Sequence, residues 1–179
     1  TSAPGRCRIG GPFKYVDPAR VEWLTTPPDM TDGASIPPWA QPFVGVPFTP
    51  AYVKAAVIHD HYCDRQVRPW RQTHRVFYDA LIESGVDVVT AKILYYAVYV
   101  GGPKWVEVIP PKICPGTTGK SCIFNVPIPD VVDKRERMMP KTAVKLARPS
   151  QYDREKFQQE LQSVSEEIKS KGGNVSLEE

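Results

Sequence analysis

Histidine is scarce in this chain of 179 residues, with His59, His61 and His74 making up the whole supply. An excess of one charge is also missing. Lys and Arg number 23 against 20 Asp and Glu, and the formal net charge of +3 gives no reason to expect a nucleic-acid partner. Long hydrophobic runs are absent too. The longest, AKILYYAVYVGG at 91–102, is far short of the roughly 20 residues a membrane-spanning helix needs, so no transmembrane segment is expected. No repeat, low-complexity run or signal peptide is apparent, and the opening Thr1 in place of Met suggests a processed or trimmed chain.

The four cysteines, Cys7, Cys63, Cys114 and Cys122, lack the close C-x₂₋₄-C pairing usual in zinc sites. Their even number fits two disulfides in any of three pairings. Cys114 and Cys122 flank the turn-rich PGTTGKS, a loop that a bridge would close; reduced, buried thiols are the other reading. With that bridge the expected location is secreted or periplasmic. The same loop is not a phosphate cradle, because Gly116 and Gly119 are three apart and the G-x-x-x-x-G-K-[ST] spacing is missing.

Proline, by contrast, is abundant: 19 residues, roughly twice the usual share of about 5%. They gather in 27–50, 103–129 and 140–149 and predict long irregular connections there. Between them the signals are helical. Thr49 is an N-cap candidate with Pro50 at the first helical position, so a helix should run to about Arg65, and Pro69 forbids its continuation. A second helix should start near Trp70 and end at Gly85, and Asp87 can cap a third over 88–100. Ile93, Leu94, Tyr95, Tyr96, Val98 and Tyr99 surround that third helix with apolar bulk, which suits a central position.

Phe13 to Thr31 reads as two short strands joined at Asp17-Pro18. Trp105 to Pro129 looks extended and proline-broken. A last helix should begin at a Ser cap, Ser150, and end at Gly172-Gly173. Tyr152, Phe157, Leu161, Val164 and Ile168 give it a narrow apolar stripe for docking on the body or on a protein partner. The expected fold is therefore α+β and mainly helical: an N-terminal β-hairpin, a three-helix core, a Pro-rich extended segment and a C-terminal helix. The expected division is a flexible arm at 1–12, a single core domain at 13–130, a Pro-containing linker at 131–149, and the C-terminal helix and tail at 150–179.

Chemistry-bearing residues concentrate between Thr31 and Arg75. On the first long helix Tyr52, Ala55, Ala56, His59 and Cys63 share one face at 3–4 spacing. His74 lies one turn into the next helix, and a short connection makes the two helices antiparallel neighbours, so His59 and His74 should come within reach. Asp60 sits about 100° round the helix from His59. A hydrogen-bonded structural cluster is one reading. The others are general-base catalysis by His59 and a metal site, with zinc suited to His and Asp, and calcium to Asp60 and Asp32. Asp32 can also tie the backbone of the Gly-Ala-Ser turn that follows it. Arg65, Arg68, Arg71 and Arg75 surround the helix junction. Arg71 and Arg75 are the candidates for an anionic head group or phosphate, with a solvated basic face paired to Asp64 and Asp79 as the alternative.

The ordered landmarks TDGASIP, AAVIHDHY, RQTHRVFYDAL and YYAVYVGGPKW resemble the phage- and prophage-associated family of unknown function numbered 1353, over about Phe13 to Trp105. The same order is distantly similar to the calcium-dependent secretory phospholipases. That resemblance implies a calcium loop at Asp32-Gly33-Ala34-Ser35, His59 as base, Asp60 as calcium ligand, and an orienting residue at His74. Both families usually carry Asp at this last position, and a neutral His74 would hold His59 without stabilising its imidazolium as a carboxylate does. The swap alternatively builds a transition-metal site from His59, Asp60 and His74. The resulting expectation is a small extracytoplasmic hydrolase, a phospholipase-like toxin or effector against cell-envelope lipid or peptidoglycan, with calcium or zinc as the candidate cofactors and catalytic His59, Asp60 and His74. The competing expectation is a non-catalytic phage-derived binding module whose cluster is structural.

Overall fold

The computed structural model describes residues 7–27, 30–34, 36, 40–109, 122–124, 144–148 and 153–177. In chain order the elements are β1 (Cys7–Arg8), β2 (Phe13–Val16), β3 (Glu22–Thr25), β4 (Met30–Thr31), α1 (Gln41–Val44), α2 (Pro50–Arg65), α3 (Trp70–Glu83), α4 (Val88–Gly101), β5 (Lys104–Ile109), β6 (Cys122–Phe124), β7 (Val144–Arg148) and α5 (Arg154–Ser170). The fold is α+β with helix predominating.

The three central helices begin and end where local chemistry directs. Pro50 opens α2 behind Thr49, although the Thr49 hydroxyl turns back to donate to the Val46 carbonyl instead of capping an N–H. Gln66, in the left-handed conformation, closes α2, and Pro69 follows. At the end of α3, Gly85 takes φ +81°. The N–H groups of Gly85 and Val86 donate back to the Ile82 and Leu81 carbonyls, a Schellman closure. Asp87 then accepts the Thr90 backbone N–H at 2.9 Å and starts α4.

The hairpin of β2 and β3 pairs Tyr15 with Trp23 across an antiparallel register. Trp23 and Thr25 point inward while Glu22 and Leu24 face solvent, the alternation of a half-buried strand. Trp23 meets the edge of the Tyr62 ring on α2 at 4.7 Å, and the Arg68 guanidinium covers the Trp23 ring at 4.1 Å. Below the hairpin, Ile58, Val76, Phe77, Leu81, Ile93 and Leu94 from α2, α3 and α4 form a continuous core.

Several elements differ from expectation. Cys7 and Arg8 pair with Thr31 and Met30, so the arm expected to be loose contributes a strand that flanks the Thr31 turn. The proline-rich loop contains the short helix α1. Val144–Arg148 falls in the stretch expected to serve as a linker, yet it pairs antiparallel with β5 in a sheet of order β6-β5-β7. Helix α5 starts at Asp153, whose carboxylate accepts the Glu155 and Lys156 N–H groups, and not at Ser150. Its stripe of Phe157, Leu161 and Ile168 is buried by docking on α4, so that face serves the body and is not left for a partner. Tyr152 and Cys114 lie outside the described residues, and with Cys114 the expected bridge to Cys122; Cys7 and Cys63 are free thiols.

Candidate functional site

The C-terminal half of α2 runs against the start of α3, and this antiparallel contact brings His59 and His74 together, with His59 Nε2 2.8 Å from His74 Nδ1. His74 is fully buried and His59 nearly so. The other nitrogen of His74, Nε2, lies 3.1 Å from the Pro103 carbonyl just after α4. A carbonyl can only accept, so His74 carries its proton on Nε2 and its Nδ1 is an acceptor for the Nε2–H of His59. Trp70, Phe77 and Trp105 surround the pair, with the Phe77 ring 5.0 Å from that of His59 and the Trp70 ring 5.5 Å from that of His74.

Gly102 is what allows this approach. A Cβ there would lie 2.9 Å from His74 Cε1 and would also meet the Val98 carbonyl oxygen. The residue's backbone conformation is ordinary, so the requirement is purely one of space.

Asp60 faces the opposite edge of His59, Oδ1 standing 3.7 Å from Nδ1. Its Oδ2 accepts the Thr31 hydroxyl at 2.6 Å, and the Thr31 oxygen in turn accepts the Gly33 N–H at 3.0 Å. Thr31 thus ties the turn to α2. Gly33 has φ +79° and packs so closely on Pro47 that a Cβ would come within 2.5 Å of its carbonyl oxygen. Ser35 lies outside the described residues.

Cys63, one turn beyond His59 on the same face, completes the cluster, with Sγ 3.5 Å from His59 Nε2 and 3.9 Å from Nδ1. Among the described residues, His59, Cys63 and His74 form a group whose ligating atoms all lie within 4.8 Å of one another; Asp32 and Asp60 do not belong to it. Cys63 was not singled out from the sequence as a functional residue, although its i+4 spacing from His59 was the available signal.

The two imidazoles hold protons very differently. Burial lowers the affinity of His59 for a proton, but the charges of Cys63 and Asp60 beside it more than offset this and raise its pKa to about 10. Burial and the neighbouring His59 charge push His74 down to about 3. With its pKa raised in this way, His59 favours its protonated form beside Asp60.

The expected anion-binding arginines already have partners. Arg71 donates to the Tyr99 hydroxyl at 3.1 Å and stacks on Trp70, while Arg75 pairs with Asp79 at 3.0 Å. Arg65 donates to the Thr26 hydroxyl and Arg68 to the Glu22 carbonyl.

Fold and cluster together define a small α+β protein whose helix pair carries two buried histidines and a partly exposed cysteine, flanked by Asp60. The chain belongs to the family described as "Protein of unknown function (DUF1353)", whose profile matches residues 7–98, just over half its length. Among curated proteins it is similar to "Uncharacterized protein y4iH" of Sinorhizobium fredii (strain NBRC 101917 / NGR234), 54% identical over 111 residues that make up 62% of this chain and 46% of the relative. It is also similar to "Uncharacterized protein y4jT" of the same strain, 39% identical over 97 residues, 54% of this chain and 29% of the relative. The chain therefore spans less than half the length of either relative. No solved structure matches it significantly.

Proposed function

We propose that the chain is a small hydrolase of the cell envelope, a phage-related effector acting on lipid or peptidoglycan, with its chemistry centred on His59. One observation supports this reading above the others: His59 is addressed at both ring nitrogens, by His74 at 2.8 Å and by the Asp60 carboxylate at 3.7 Å, and each of those is anchored in turn. A ring fixed this way is a preorganised, water-poor centre, the kind around which a hydrolytic site is built. His74 holds the ring and Asp60 balances the charge. The order of glycine turn, His-Asp pair and second helix is similar to that of the secretory phospholipases, which favours a lipid ester as substrate. An extracytoplasmic location goes with that substrate, and no helix among the described residues is long and apolar enough to cross a membrane.

The test is hydrolysis of phospholipid vesicles and of purified peptidoglycan by the full chain and by His59→Gln. The variant should stay folded and lose activity by on the order of 10²–10⁴. Activity retained by the variant removes His59 from the chemistry.

A second reading has its own support. The contacts His74–Pro103 and Asp60–Thr31 also fasten the end of α4 and the strand β4 to the helix pair, which is what a structural cluster in a binding module would do. In that case His59→Gln should lower stability by about 1–3 kcal/mol through an unpaired buried group, and neither substrate should be cleaved by the parent chain.

A further inference from the structure

We infer that His59 Nε2, His74 Nδ1 and Cys63 Sγ are three ligands of a site for one transition-metal ion of the zinc class, with the fourth position open to water. This deepens the hydrolytic reading and rests on it for the chemistry of the site, though not for the binding of the metal.

The distances come first. The three ligating atoms lie within 4.8 Å of one another. A tetrahedral zinc with Zn–N of about 2.0–2.1 Å and Zn–S of about 2.3 Å sets nitrogen and nitrogen about 3.3 Å apart, and nitrogen and sulfur about 3.6 Å apart. The corresponding separations here are 2.8 Å for the His59–His74 nitrogens and 3.5 Å for Cys63 Sγ to His59 Nε2. To admit the ion the nitrogens need to part by about 0.5 Å, and Cys63 Sγ and His74 Nδ1, within 4.8 Å of each other here, need to stand about 3.6 Å apart, changes that small side-chain rotations supply.

The outer contacts provide an independent reason. Metal-binding histidines almost always donate their second ring N–H to a carbonyl or carboxylate, which fixes the tautomer and aims the other nitrogen at the metal. His74 is arranged in this way, and His59 has a carboxylate at ion-pair distance, 3.7 Å from its Nδ1. His74 Nε2 is committed to the Pro103 carbonyl, leaving the Nδ1 lone pair directed at the cluster, and His59 Nδ1 faces Asp60. Asp60 is itself held by Thr31, so the partner of His59 is positioned and not merely near.

The donor set selects the ion. A thiolate with two imidazoles suits zinc and its softer neighbours and does not suit calcium, which takes oxygen ligands. The expected assignment of Asp32 and Asp60 as metal ligands thus shifts: Asp60 orients a ligand, and the third donor is Cys63. Exposure sets the direction of entry. Both histidines are buried whereas Cys63 is partly exposed, so the open coordination position lies on the Cys63 side. There the ion would lower the pKa of its water to about 7. That water releases a proton to solvent, and the hydroxide adds to the acyl carbon. The bond to the leaving oxygen then breaks, and that oxygen takes a proton from solvent.

Titration of the reduced, chelator-treated full chain with Co²⁺ tests the site, using a Cys7→Ser background to remove the exposed free thiol. One equivalent should bind, with the near-ultraviolet charge-transfer band of a cobalt–thiolate bond. Cys63→Ser should abolish that band, and Asp60→Asn should weaken binding about 10–100-fold. Cys63→Ala provides a second variant should the serine perturb folding. No stoichiometric complex, or an unchanged band in both Cys63 variants, overturns the inference. A cobalt complex on a chain that cleaves neither vesicles nor peptidoglycan leaves the metal site standing and removes the hydrolase. Hydrolysis that survives chelation and Cys63→Ser leaves the hydrolase standing and overturns the metal's part in its chemistry.

Discussion

Thr31 donates its hydroxyl proton to Asp60 across 2.6 Å, although 29 residues separate the two in the chain. The same oxygen accepts the Gly33 N–H, so a single side chain fastens the turn before α1 to the helix that carries His59. Thr31→Val keeps the shape and removes both bonds. It should cost about 1–3 kcal/mol in urea unfolding, while Thr31→Ser should recover most of that. Equal stability of the Val variant and the parent would show that this tie contributes nothing.

Gly102 gives a second prediction. Its replacement by Ala places a methyl against His74, which bonds to the Pro103 carbonyl, and against the Val98 carbonyl, which accepts the Gly102 N–H. Overpacking of this kind costs about 1–3 kcal/mol. The His74 ring resonances in NMR should shift along with the loss of stability. A variant with parent-like melting and spectra would mean that the end of α4 yields freely.

The N-cap of α4 makes a pH-dependent prediction. The Thr90 N–H on the Asp87 carboxylate holds its pKa below the usual carboxylate range. A value lowered on folding stabilises fully above the unfolded pKa of about 3.9, and that stabilisation is lost as pH falls through the lower folded value. Asp87→Ala should therefore cost about 1 kcal/mol near neutral pH. The gap to the parent should close as the solution is acidified towards about pH 2. A gap that persists in acid would assign the effect to something other than the carboxylate's charge.

Phe157 anchors α5. It is 6% exposed and its ring lies against Gly101, where an added Cβ would come within 3.0 Å. Phe157→Ala should cost about 3–5 kcal/mol, or free α5 without unfolding the rest. Limited proteolysis distinguishes these outcomes, since early cleavage within 154–170 marks local release. Resistance equal to the parent's would mean that Leu161 and Ile168 hold the helix unaided.

The helices were legible because their limits are set by neighbours in sequence. Pro50, Pro69, Gly85 and Asp87 act within one turn of where they stand, and the elements begin and end beside them. The strands were less so. Val144–Arg148 is a strand because β5 lies beside it, and nothing within the segment announces a partner some 40 residues back. The cluster shows the same division. The meeting of His59 and His74 followed from two helices and a short connection. The direction of each nitrogen depends on Pro103 and Asp60, contacts that only the folded chain creates. Thr31 was overlooked because attention fell on the charged residue beside it.

The position of Pro103 has a consequence for heredity. The stretch matched by the family profile ends at residue 98, before the Pro103 carbonyl that accepts from His74, before Trp105, which donates to the Arg68 carbonyl, and before Phe157, which covers Gly101. The portion the family profile covers and the portion that keeps its histidines aligned are thus different lengths of the same polypeptide. A gene fragment trimmed to the limits of that profile would inherit both imidazoles without the carbonyl that orients one of them.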